Sequence, residues 1–143
     1  MAAYVKVNDF VEDVAEKLHD LSSDQLVIAL SNTAPGAEGS DPTGDGNGIL
    51  ANVTEISYVN CSSRNITTTS STLTAGVYKL VLTDLVLTAS GNVGPFRYVY
   101  IYNGTAAADN LIAEFDYGSS ISLASGETFT LDFDAANGVL QIT

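Results

Sequence analysis

Apolar and polar positions change their period along the chain. Between Asn8 and Leu21, Phe10, Val14 and Leu18 recur every four positions, Val11 and Ala15 run beside them, and Leu21 extends the stripe. Asp9, Glu12, Asp13, Glu16 and Lys17 fill the other side, which is the pattern of an amphipathic helix. Asn8 suits the N-cap, acids crowd the first turns, and Lys17 and His19 lie near the end, each where the helix dipole favours its charge. A helix is therefore predicted over 8–21. Gln25 to Ser31 (QLVIALS) is a short apolar run between polar residues and reads as a buried strand. Residues 32–48 (NTAPGAEGSDPTGDGNG) carry almost no apolar side chain and read as a long Gly-rich loop.

From Ile49 onward the alphabet shifts to Thr, Val, Leu, Tyr, Phe and Ser. Ile49 to Ala51 suits a single helical turn. Strands are predicted at 55–59, 65–69, 77–83, 85–89, 96–102, 111–117, 120–123, 127–134 and 138–143. In FRYVYIY, alternation puts Phe96, Tyr98, Tyr100 and Tyr102 on one face and Arg97, Val99 and Ile101 on the other. In ETFTLDFD, Phe129, Leu131 and Phe133 alternate with Thr128, Thr130, Asp132 and Asp134. Asn137-Gly138 reads as a tight hairpin turn into the last strand. One helix followed by roughly eight or nine short strands, at spacings of about 8–12 residues, predicts a mainly β, single-domain antiparallel β-sandwich, jelly-roll-like, with one N-terminal α-helix. The expected core includes Val27, Leu80, Leu82, Val99, Ile101, Phe129, Leu131 and Phe133.

Composition narrows the function more than the fold. The 143 residues are 45% hydrophobic and 15% charged, which suits one packed core. Lys+Arg is 5 against Asp+Glu 17, a formal net charge of −12. That balance argues against nucleic acid and against an anionic membrane surface as partners, because both need a basic patch. With one Cys and one His, neither an internal disulfide nor an ordinary zinc site is expected, and no cofactor or metal is predicted. Residues 1–20 lack the basic and apolar regions of a signal peptide, so synthesis in the cytoplasm is expected.

Candidate chemistry is sparse. His19 and Cys61 would form a nucleophilic pair only if the fold brought them together; otherwise His19 is a surface residue at a helix end. Asp132 and Asp134 share a strand face, as a glycosidase carboxylate would, but seventeen acids make some pairing inevitable. Asp41, Asp45 and Gly46 match positions one, five and six of a calcium loop, yet Asn52 stands where a bidentate Glu belongs. Sequons at Asn52, Asn60, Asn65 and Asn103 fit the Thr/Ser/Asn-rich composition without implying glycans. No catalytic residues are predicted, and the chain is read as non-enzymatic.

The stretches FVEDVAEKLHDL, QLVIALSNTAP, GPFRYVYIYNGT and LIAEFDYGSSISLASGETFTLDFDAANGVLQIT resemble small virion structural proteins of tailed bacteriophages. The resemblance implies a particle component, most like a capsid decoration (cement) protein bound to the outer face of the shell, with the major capsid protein as partner and the virion as location. A tail, fibre or baseplate adaptor is the alternative, and a glycan-binding or glycan-active domain a third reading. A dimer or trimer would match two-fold or three-fold positions of a shell. The arm 1–7 and the loop 32–48 are least able to bury themselves. They are therefore expected to carry the partner contact, through Tyr4, Val5, Val7, Asp41 and Asp45, with Tyr100 and Tyr102 next, while the chain folds without either segment.

Overall fold

The computed structural model describes residues 2–143; Met1, the first residue of the predicted arm, lies outside them. The chain is mainly β and antiparallel, with one α-helix among the described residues. In order come β1 (Ala3–Lys6), α1 (Phe10–Ala15), β2 (Leu26–Ser31), β3 (Thr68–Thr74), β4 (Val77–Leu82), β5 (Leu85–Thr88), β6 (Val93–Asn103), β7 (Leu111–Leu123), β8 (Thr128–Leu131) and β9 (Leu140–Ile142). A four-stranded sheet, β1-β7-β6-β2, forms one layer; a three-stranded sheet, β3-β4-β9, and a two-stranded one, β5-β8, form the other. Leu26, Ile28, Leu30, Val99, Ile101 and Ile112 of the first layer meet Leu80, Leu82, Leu87, Leu131, Phe133 and Leu140 of the second in one core.

Both faces of β2 are buried, which is why its run is apolar as far as Leu30 rather than alternating. The outer face of the four-stranded sheet carries Val7, Val27, Ala29, Tyr98, Tyr100, Tyr102 and Leu111, covered by Val53 and partly by Ala34 and Leu50. The expected core therefore divides. Val27 belongs to this outer cluster, Phe129 is only half-buried, and the other six residues lie in the main core.

The loop 32–48 lies against this face through Ala34 and is anchored to the rest of the chain. Backbone bonds tie it down, Asn8 N–H to Thr43 O (3.1 Å) and Leu111 N–H to Gly48 O (2.8 Å). The Asp9 carboxylate accepts from Gly46 N–H at 2.7 Å and Gly48 N–H at 2.8 Å. Asp9→Ala should cost about 2 kcal/mol, since charge-assisted bonds to a part-buried main chain are lost together. Urea denaturation checks this; a loss under about 0.5 kcal/mol would mean that other contacts hold the loop.

The arm is also internal. β1 pairs with β7 in register Tyr4↔Phe115 and Val5↔Glu114, so it is a strand of this sheet rather than a free segment. The predicted helix is much shorter than 8–21. Lys17 turns left-handed at φ 65, Leu18 N–H bonds Asp13 O (2.8 Å) and Lys17 N–H bonds Val14 O (3.3 Å). These two bonds form a Schellman ending with Lys in the place that glycine usually takes. Val11 and Leu18 of the predicted stripe are exposed, and Asp9, not Asn8, stands at the N-cap.

Two strand predictions fuse, 111–117 and 120–123, into β7. The 55–59 segment makes only an isolated bridge, Ser31↔Glu55. The Asn137-Gly138 turn does not close a hairpin between β8 and β9: β8 pairs with β5, and β9 with β4. Gly138, at φ 79, lies so close to Leu80 O that a Cβ there would stand 2.5 Å from it. The close approach steers the chain onto β4 instead.

Candidate binding cleft at the open side of the sandwich

The two edges of the four-stranded sheet are treated differently. At β2, segment 55–66 takes up the outward main chain: Ile28 N–H donates to Arg64 O (3.0 Å), Ile56 N–H to Leu30 O (3.0 Å) and Ile66 N–H to Leu26 O (2.9 Å). Tyr58 adds its hydroxyl to Leu30 N–H (2.8 Å), and the Arg64 guanidinium lies 3.7 Å over the Tyr58 ring. That edge is sealed.

At β1 the edge is open. Val7 N–H bonds Ile112 O, so alternation along the antiparallel pair turns Val5 and Ala3 toward β7 and the main-chain groups of Tyr4 and Lys6 away from it. Among the described residues nothing bonds those outward groups.

Beside this edge lies a cleft of about 460 Å³ between β1-β7 and the β8–β9 segment. Tyr4, Phe115, Tyr117 and Phe129 line it, and the exposed Asp132 and Asp134 stand at its rim. Its rings pack edge-on, Tyr4 on Phe115 at 5.5 Å and Tyr117 on Phe129 at 5.6 Å, and Phe129 also meets Phe96 of the core at 5.2 Å. Tyr4 and Tyr117 remain 39% and 50% exposed, so their faces are available from solvent.

The two rim carboxylates differ. Asp134 is occupied by its own turn, accepting from Ala136 N–H, Asn137 N–H and Asn137 Nδ2, and the Asn137 bonds hold its carboxyl below the usual range. Asp132 is exposed and has no hydrogen-bond partner among the described residues. Nearby Asp116 is held ionised by two bonds from Arg97, at 2.7 and 2.8 Å. A paired-carboxylate hydrolytic site would need both rim groups free, and only Asp132 is.

The sequence-predicted contact residues scatter. Tyr4 and Val5 are exposed on β1, but Val7, Tyr100 and Tyr102 are buried, so a partner cannot reach them in the folded chain. Asp41 and Asp45 are exposed on the loop; Asp41 accepts from Thr43 N–H and Oγ1, and Asp45 accepts from Asn8 Nδ2. Among the described residues no three His, Cys, Asp or Glu side chains are disposed to hold a metal ion.

Tyr100 and Glu114 face each other across β6 and β7. Glu114 is 4% exposed, and its Oε1 and the Tyr100 hydroxyl find no hydrogen-bond partner among the described residues. Burial, then the charges of Asp116 and Asp41, push the Glu114 carboxyl up to about 7. Burial raises the Tyr100 phenol as well.

His19 is likewise not the surface residue expected from a long helix. Its ring is enclosed, with Nδ1 3.1 Å from Asn103 Nδ2 and Nε2 3.6 Å from Asp13, whose carboxylate also accepts from Asn110 Nδ2 (3.0 Å). Burial lowers its pKa against the opposing pull of Asp13 and Asp24. This network bolts α1 to the end of β6. Cys61 sits elsewhere, bridged to Ala89 with its thiol raised by burial, so no Cys–His pair forms.

Sequence reasoning missed Phe115, Tyr117 and Phe129 as cleft walls. The alternation Phe115–Tyr117 was the available signal, but nothing local says that the opposite layer stops short of them. Comparison with protein-family models, with curated proteins and with solved structures returned no match for this chain.

Proposed function

We propose that this chain is a non-enzymatic structural protein of a tailed-phage particle, a decoration protein that binds the outer face of the capsid shell and stabilises it. One observation carries the binding reading: the sandwich seals one edge of its main sheet with its own chain and leaves the other open beside an aromatic cleft. An unpaired edge invites strand addition unless it is blocked, and aromatic rings half in solvent are the side chains favoured at protein contacts. The resemblance of the sequence to virion proteins supplies the particle. The net charge of −12 keeps free copies apart in solution and away from packaged DNA. In this reading the contact lies on the open side, not on the loop 32–48 or on Tyr100 and Tyr102. Purified particles test it: the protein should be present in hundreds of copies and localise to the shell by imaging. A few to dozens of copies at the tail would favour the adaptor reading, and absence from particles would overturn both.

A further inference from the structure

We infer that the open side takes an extended segment of a partner protein that carries Arg or Lys, adding as a strand to β1 and seating a cationic side chain among Tyr4, Tyr117 and Asp132. The inference rests on the binding reading above for the existence of a partner, and specifies the partner's chemistry.

Three features converge on one place. The outward N–H and C=O groups of Tyr4 and Lys6 form a short ladder with no partner among the described residues, which an incoming strand would complete. The cleft opens directly beside that ladder, since Tyr4 belongs to both. Its volume of about 460 Å³ exceeds what a backbone alone would fill and suits inserted side chains.

Charge selects the occupant. The chain carries Lys+Arg 5 against Asp+Glu 17. Arg64 and Arg97 are committed to Ile28 O and Asp116, Lys79 lies by Asp134 and donates to Ala136 O, and Lys6 is exposed on β1 itself, so the unpaired charge among the cleft's lining residues is the carboxylate of Asp132. Aromatic faces beside a free carboxylate attract a cation through the ring quadrupole and the ion pair together. An anionic segment meets like charge. A second copy of this chain carries the same net charge of −12, and the mutual repulsion disfavours it as the occupant.

The probes are a ten-residue peptide alternating Val/Thr with Arg, its Glu-for-Arg counterpart, and the Arg peptide N-methylated at alternate residues. Titrations followed by amide chemical shifts should show the Arg peptide moving Tyr4, Lys6 and Tyr117. The Glu peptide should have no effect, and N-methylation of the pairing edge should weaken binding at least tenfold. Asp132→Asn and Tyr117→Ala, both at exposed positions, should each weaken the Arg peptide about fivefold or more and reduce its salt dependence in the first case. Equal binding of the Arg and Glu peptides, shifts that map elsewhere, or no binding by any peptide would overturn the inference. So would a concentration-dependent dimer broken by Lys6→Pro, which would make a second copy the occupant. Particle occupancy keeps the two readings apart. If both variants decorate particles at wild-type level, this inference fails and the particle reading stands. If the Arg peptide binds as described but the protein is absent from particles, the reverse holds.

Discussion

Phe96→Ala should lower the unfolding free energy by about 3–5 kcal/mol, the usual cost of emptying a fully buried phenylalanine site. A domain of this size is stable by only about 5–15 kcal/mol, so the variant should lose a large share of its margin. Phe96 is 0% exposed, sits in the main core and meets Phe129 edge-on at 5.2 Å. Simple alternation along FRYVYIY would put it with the tyrosines on the outer face. Phe96 instead joins Val99 and Ile101 in the main core, at the place where the register of β6 against β7 breaks between Phe96 and Tyr98. Denaturant titration measures the loss, and a double-mutant cycle with Phe129→Ala identifies the face. A coupling of about 1 kcal/mol is expected for the ring pair. Zero coupling would return Phe96 to the tyrosine side. Phe129→Ala alone should cost less than Phe133→Ala, because Phe129 is half-buried at the cleft and Phe133 is enclosed.

Glu114→Gln should stabilise the protein by about 2–3 kcal/mol at pH 8.5 and by close to nothing at pH 4.5. The folded carboxyl titrates near 7 against 4.5 when unfolded. The folded state therefore binds the extra proton between these values. The stability that Glu114 contributes is fully present below 4.5 and is lost as pH rises through 7. Above 7 the wild type holds a buried anion facing the Tyr100 hydroxyl, with the negative charges of Asp116 and Asp41 nearby. Thermal unfolding of the two proteins across this range reads the difference, roughly 3–4 °C per kcal/mol. A difference that does not change with pH would show that the carboxyl is solvated. His19 acts in the opposite direction. Its pKa is lowered on folding, so its burial favours the native state at neutral pH and opposes it as pH falls below about 6.5.

What the sequence alone determined is the set of segments that become strands and the class they build. β2, β4, β5, β8 and β9 lie within the runs marked by apolar content or alternation, and β6 extends the run read at 96–102 at both ends, because a strand's burial is written in its own side chains. The 3-10 turn at Leu50–Asn52 falls one residue from the turn read from Ile49 to Ala51. The charge balance was equally local, since it is a count.

Only the tertiary structure decided the rest, and in each case the deciding atoms are distant in the chain. The helix stops at Ala15 although the apolar period continues to Leu21, because the chain turns at Lys17 and His19 is drawn to Asn103, 84 positions away. The Gly-rich loop has too few apolar groups to fold by itself, yet Asp9 and the tyrosine face give it somewhere to lie, 37 to 39 positions from its anchor. Tyr100 and Tyr102 have the composition of a contact surface, but burial depends on what covers them. The cleft shares this character. Tyr4 and Tyr117 are brought beside Asp132 by the β1–β7 register and by the early end of β8, and neither pairing partners nor sheet edges can be read from side-chain period, which specifies a face but not a neighbour.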